Sequence, residues 1–296
     1  MQMTPGRIAA LAAGVPFAVA LIGWTSYDFV ALAGQASYTI ARTIPVHGGG
    51  VTANVGGSDL TLRQGGVGTP ELVGTVHYSL FKPSLTVTQA GAGTTVDFQC
   101  RDVTGNCSLN ATLQVPPRIG VTLSTGGGNV SVPVFTGSAE LLTGGGDVTA
   151  GSLGGTVQMQ TGGGNVDADS LSGSLDLQTN GGDLNADTVS GDTMLTAGTG
   201  GGNVNVQDMA DPYATIQSNG GDVTLTFTQV PRNLQISTEG GNILVVLPPG
   251  STAYDLQANP GGGSVNVSHS VPTAARSSDS LILDSEGGDI TVSEAS

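Results

Sequence analysis

Nine times between Thr125 and Ile290 the chain repeats one phrase: a Thr or Ser, a run of Gly, an Asn or Asp, then an aliphatic residue. The first copy is Thr125-Gly-Gly-Gly-Asn129-Val130. Self-similarity at a short fixed period restricts a chain to stacked, solenoid-like architectures, because each unit buries its apolar face only against the next. The Asx positions are Asn129, Asp147, Asn165, Asp183, Asn203, Asp222, Asn242 and Asp289, with Ser264 as the one exception. The first four lie 18 residues apart, and later spacings of 20, 19, 20, 22 and 25 require extra residues to loop out between strands.

Alternating stretches flank each Gly run. Leu175-x-Leu177-x-Thr179 precedes one, and Val204-x-Val206 follows another. A period of two marks strands with one buried face, whereas a helix needs 3.6. A third apolar position, Leu153, Leu171 and Val189, recurs before a small residue and Gly, and is expected to fill a corner. Each unit reads strand, Gly turn, strand, corner. The expected fold is all-β: a β-solenoid (β-helix) of about nine to ten coils, nine of them in the Gly-rich repeat of residues 119–296. An antiparallel sandwich is disfavoured, since its strands rarely share one turn phrase nine times.

Residues 46–118 are expected to hold a degenerate first coil and an irregular β cap. Val51-x-Ala53-x-Val55-Gly-Gly-Ser-Asp59-Leu60 repeats the offsets, and residues 72–117 break them with longer strands that end at Pro116-Pro117. Solenoid ends need such caps. Cys100 and Cys107 bracket a turn-like Thr-Gly-Asn and are expected to form a hairpin disulfide if the chain is exported.

Residues 1–45 carry the case for export. Arg7 precedes an apolar run from Ile8 to Trp24, about 26 Å as a helix. One reading is an uncleaved signal anchor, a single transmembrane helix with Trp24 and Tyr27 at the interface and all that follows outside the membrane. The other is a signal peptide cleaved after Ala33. The anchor is preferred, because Asp28 interrupts the approach to Ala33.

The Gly-Gly-Asn/Asp-Val phrases, the preceding Cys…Cys segment and the Val115-Pro116 step resemble the bacterial putative-adhesin proteins, a β-strand-repeat domain of unknown function. The resemblance covers about residues 46–292. It implies a β-helical envelope domain, often behind one membrane anchor, and brings no catalytic residues with it.

Function classes narrow by exclusion. The net charge of −15 with only eight basic residues argues against nucleic acid. The Gly turns are expected to use positive φ, with Asx bonding its own backbone. A phosphate-cradling loop would need a following helix and a Lys. Calcium is disfavoured in the turns, since the phrase comes once per coil and about half its Asx are neutral. No metal or cofactor is expected. If coils stack in register, the Asn/Asp alternation spaces like charges about 10 Å apart, near one Debye length. His269 lacks a nucleophile elbow. The repeat aromatics Phe135, Tyr213, Phe227 and Tyr254, with Arg232 and Arg276, form no distinctive catalytic pattern. The expected role is a non-enzymatic envelope rod for adhesion or structure, acting through the faces between the Gly turns. The rival is a calcium-dependent or glycan-acting β-helix module.

Overall fold

The structure, a computed structural model, describes residues 36–66, 68–79, 81–100, 107–191, 194–250 and 252–295. All its regular elements are strands, in two sheets of 13 and 12. The expected anchor and the Ala33 site lie outside the described residues. Within those residues, no helix is long and apolar enough to cross a membrane.

The repeat forms a two-sheet parallel solenoid. One coil runs from a strand in the smaller sheet, through the Gly turn, to a strand in the larger sheet. The first regular coil joins β8 (Val121–Thr125) to β9 (Val130–Phe135), and residues 139–227 continue the alternation through β10 to β19. β20 (Asn233–Thr238) and β21 (Ile243–Leu247) form the next coil. The register is strict: Thr143 pairs with Thr125 and Thr161, and Val148 with Val130 and Val166. This alignment buries an unbroken column of Val130, Val148, Val166, Leu184, Val204, Val223, Ile243 and Ile290. Where the larger sheet contributes Ala150, Ala168 and Ala186, the same coils contribute Leu141, Met159 and Leu177 from the smaller sheet, all buried. Pairing large with small keeps the cross-section close-packed from coil to coil. The third apolar position forms its own buried column of Phe135, Leu153, Leu171, Val189, Met209 and Phe227 at the far corner.

At both ends, spatial order departs from chain order. β2 (Val51–Asn54) and β3 (Leu60–Gln64) make the first coil, while β6 (Gly93–Gln99) and β7 (Ser108–Val115) make the second. The second coil lies outermost, and the first is held between it and the β8–β9 coil. The other end repeats the arrangement. β22 (Asp255–Asn259) and β23 (Val265–Val267) lie outermost, and the chain returns to place β24 (Ser280–Ser285) and β25 (Ile290–Glu294) between them and β20–β21. An expectation of coils stacked in chain order therefore fails at both ends. Eleven coils stack in all among the described residues, about 48 Å at 4.8 Å per step.

The N-terminal end is closed by antiparallel strands. β1 (Ala36–Thr43) pairs with β4 (Glu71–Tyr78), which pairs with β7, and β5 (Ser84–Ala90) pairs with β6. Cys100 and Cys107 are bonded. Their strands, β6 and β7, belong to different sheets and do not pair. The disulfide is therefore not in a hairpin: it closes the sheet-to-sheet corner that a Gly turn closes elsewhere.

Candidate functional site

Each Gly turn combines three residue types, and each has a separate reason. The Thr or Ser is buried: Thr161 is 0% exposed. Its hydroxyl donates to Gly146 O of the preceding coil at 2.7 Å and accepts the Gly164 N–H at 3.1 Å. Thr143 and Thr179 do the same one coil to either side. A buried hydroxyl is tolerated only when its bonds are made, and here it also ties each coil to the next. This role is missed by a reading confined to Gly and Asx, although the Thr or Ser that opens every copy but the one at Pro260 was its signal.

The last glycine of each run is there for space. A Cβ on Gly164 would sit 2.1 Å from Gly146 O, and one on Gly221 2.0 Å from Gly202 O. The expected positive φ is absent: of the turn glycines from Thr125 to Asp289, only Gly261 has it. Coils are stacked so closely at this corner that backbone touches backbone, and only glycine fits.

The Asx side chains form a continuous ladder along the exposed edge. Each Oδ1 accepts the backbone N–H of the neighbouring Asx: Asp147 N donates to Asn129 at 2.8 Å, Asn165 N to Asp147 at 2.8 Å, Asp183 N to Asn165 at 2.9 Å. It continues through Asn203, Asp222 and Asn242 to Asp289, and begins with Asp59, which accepts from Asn129 N. The bond is therefore to the next coil's backbone and not, as the sequence suggested, to the residue's own. In space the order reads Asp59, Asn129, Asp147, Asn165, Asp183, Asn203, Asp222, Asn242, Asp289, Ser264. Alternation is unbroken until Ser264, because Asp289 rather than Ser264 stacks on Asn242. Between Asn242 and Asp222 the amide also donates to the carboxylate at 3.1 Å. Both the N–H and the hydroxyl of Ser264 donate to Asp289, and these bonds hold its carboxyl below the usual carboxylate range. Among the described residues, no group of three His, Cys, Asp or Glu side chains is placed to hold a metal ion.

The opposite corner, where one coil passes to the next, carries the variation. Its connections lengthen toward the C-terminus, and there they enclose an open groove of about 920 Å³ lined by Tyr213, Gln229, Arg232, Asn233, Thr252 and Asp279, among others. Tyr213 is 38% exposed. Its N–H is held by Asp211 Oδ1 at 3.1 Å, which fixes the start of its strand. Asp279 is oriented by the Thr252 hydroxyl at 2.8 Å. The Arg232 backbone is pinned on both sides, donating to Pro212 O and accepting from Ser280 N, which fixes this residue in the groove wall. An aromatic face, a guanidinium and planar amides around an open trough suit an extended polar ligand. The sequence names Tyr213 and Arg232 singly. The signal for their convergence was the lengthening repeat spacing, whose extra residues form these walls.

The family profile of Toastrack DUF4097 matches residues 85–293. No curated protein matches the chain. Among solved structures, similarity is found to a putative adhesin from Parabacteroides merdae at 15% identity, covering 88% of this chain and 96% of that one, with a TM-score of 0.45. A putative adhesin from Bacteroides fragilis aligns at 11% identity over 88% and 97%, with a TM-score of 0.42. A putative cell adhesion protein from Clostridium sporogenes aligns at 10% over 88% and 100%, with a TM-score of 0.23. At these scores the likenesses carry nothing about ligands into this chain.

Proposed function

The chain belongs to the Toastrack DUF4097 family, and from that premise we propose that it is a non-enzymatic rod of the cell envelope. In this reading the apolar run from Ile8 to Trp24 anchors it in the membrane by one helix, the solenoid stands outside, and the far-corner groove holds an envelope polymer or a protein ligand. One observation supports this above the others. Turn positions are fixed by packing, and in the connections of the opposite corner, which are not so fixed, Tyr213, Arg232 and Asp279 converge. Rigid scaffolds place recognition on such connections.

The glycan-acting alternative draws on the same groove. Hydrolysis would call for two carboxyl groups flanking the bond, and Asp279 is the one acid among the described groove residues. The test presents the full chain to an array of envelope polysaccharides, with Tyr213→Ala and Arg232→Ala beside it. Binding lost in both variants, with no reducing sugar released, is the expected result. Release of reducing sugar by the unaltered chain would replace the binding role with an enzymatic one. Binding that both variants retain would move the site off the groove.

A further inference from the structure

The rod is electrically and chemically lopsided. Residues 1–118 carry six of the eight basic residues and five of the 23 acidic ones, whereas residues 119–296 carry two basic and 18 acidic, a formal charge of −16. The near-neutral segment is the one that closes the N-terminal end, and that end face is apolar. Leu85 and Val87 of β5 lie opposite Phe98 and Val96 and share their inward side, but among the described residues no further strand lies beyond β5. Val87 is consequently 38% exposed. Across the end, Tyr38, Ile40 and Tyr78 are only half covered. Phe81, on the link between β4 and β5 that crosses from one sheet to the other, is 56% exposed. Lys82 beside it places Nζ 4.8 Å from the centre of the Tyr38 ring, which in turn meets Tyr78 edge-on at 5.9 Å. Arg42 and Glu71 lie near one another on β1 and β4, as partners of Leu72 and Thr43.

We propose that this end face seats on the outer surface of the bilayer, with Phe81 and Val87 in the headgroup region and Lys82 among lipid phosphates. The proposal rests on the anchored reading above and adds where the folded domain stands. Three observations select a lipid surface as occupant. The apolar run ends at Trp24, and β1 starts at Ala36, a tether of at most about 40 Å. That is shorter than the rod, so the near end is the one presented to the membrane. Exposed aromatic and aliphatic side chains beside a cation are the composition that settles at a membrane interface. An anionic leaflet would repel the −16 flanks, and since charge is screened within about 10 Å, standing on the near-neutral end removes nearly all of that repulsion. Lying flat would not.

The test uses the full chain reconstituted in vesicles of phosphatidylcholine and phosphatidylglycerol, with Trp24→Phe so that a single reporter tryptophan can be placed. Phe81→Trp is one reporter, Val87→Trp a second, and Tyr213→Trp in the distal groove the control. Brominated acyl chains are expected to reduce emission at 81 and 87 by more than half and leave 213 unchanged. Carbonate extraction of the unaltered chain reads the anchor separately. Retention in the membrane without quenching at 81 and 87 overturns the seat and leaves the anchor standing. Extraction by carbonate together with quenching at neutral pH supports the seat and removes the anchor. Equal quenching at 81, 87 and 213 means that the rod lies flat and overturns the proposal. So does burial of the reporters that grows with protein concentration without lipid quenching, since a second copy then covers the face.

Discussion

The two ends of the rod share a topology and differ in chemistry. At each, the coil nearest the chain terminus is the second layer, clasped between the body and an outermost coil that lies further from that terminus in the chain. A terminal coil with a neighbour on both sides cannot fray alone, which removes the usual weak point of a solenoid. The closures then diverge. The N-terminal end adds antiparallel strands, aromatic side chains and a disulfide, so its outermost coil is thickly covered. Among the described residues, the C-terminal end adds no further strand beyond β22 and β23, only a single bridge from Thr273 to Tyr254, and it stops the repeat with residues that cannot propagate it. Pro260 falls where Ser285 and the buried Thr of other coils sit, and Ser264 ends the Asx ladder as a donor. A solenoid edge left able to continue would template further strands, and the two ends solve that problem by cover and by mismatch respectively.

The sharpest contrast is between clasped and covering residues. Leu283 of β24 is fully buried between two coils, whereas Leu85 of β5 is half covered. Leu283→Ala should cost about 3 kcal/mol and Leu85→Ala clearly less. In hydrogen exchange, β22 and β23 should lose protection together with β24 and β25 in the first variant. Loss confined to β22 and β23 would show that the clasp does not couple the coils. Next comes the disulfide. Cys100 and Cys107 close a loop of sequence separation 7, for which the chain-entropy account gives about 2.5 kcal/mol. Replacing both with Ser should lower the unfolding free energy of the N-terminal end by that amount and raise exchange in β5 to β7, with the C-terminal coils unaffected. A global change would mean the ends are not independent.

Glycines at the two ends sharpen the same contrast. A Cβ on Gly288 would meet Gly241 O at 2.2 Å, and one on Gly93 would meet Gly50 O at 3.4 Å. Gly288→Ala should cost about 2 kcal/mol through forced backbone displacement, and Gly93→Ala should be near neutral. Equal midpoints for the two variants would remove close stacking as the reason for the turn glycines.

These glycines also show where sequence reasoning reached its limit. Period-two alternation and an 18-residue repeat were enough to specify strands, inward faces and a parallel stack, because each follows from burying one side of a strand. The cause of the glycines was misassigned, since positive φ and backbone contact leave the same residue in the sequence. The clasp at the C-terminus was hidden because Val265-x-Val267 and Ile290-x-Val292 are equally fit to lie on Ile243-x-Val245, and nearness in sequence favours the wrong one. Two clues pointed the other way: Asp289 keeps the alternation that Ser264 breaks, and Pro260 replaces the Thr. The groove escaped for a different reason, as it joins residues from four connections whose lengths, but not paths, are written in the spacing.

The smallest effect expected is a difference in pH response between the ends. Two hydrogen bonds from Ser264 hold Asp289 below its ordinary 3.8, so the ionised carboxylate is favoured in the folded protein. That stabilisation is complete above the unfolded value and is lost as pH falls through the folded one. Asp289→Asn should therefore flatten the acid limb below about pH 4 in exchange from β23 and β25. At the other end, burial and then the neighbouring Tyr78 push the Tyr38 hydroxyl above its ordinary 10.0. Here the neutral form is favoured, so stability is complete below pH 10 and falls as pH climbs toward the folded value. Tyr38→Phe should remove that alkaline loss in β1 and β4 while leaving the acid limb intact. The crossed pattern, acid sensitivity at the ladder's end and alkaline sensitivity at the aromatic cap, is what local exchange should read. If either variant altered both limbs at both ends, the rod would be a single cooperative unit along its whole length.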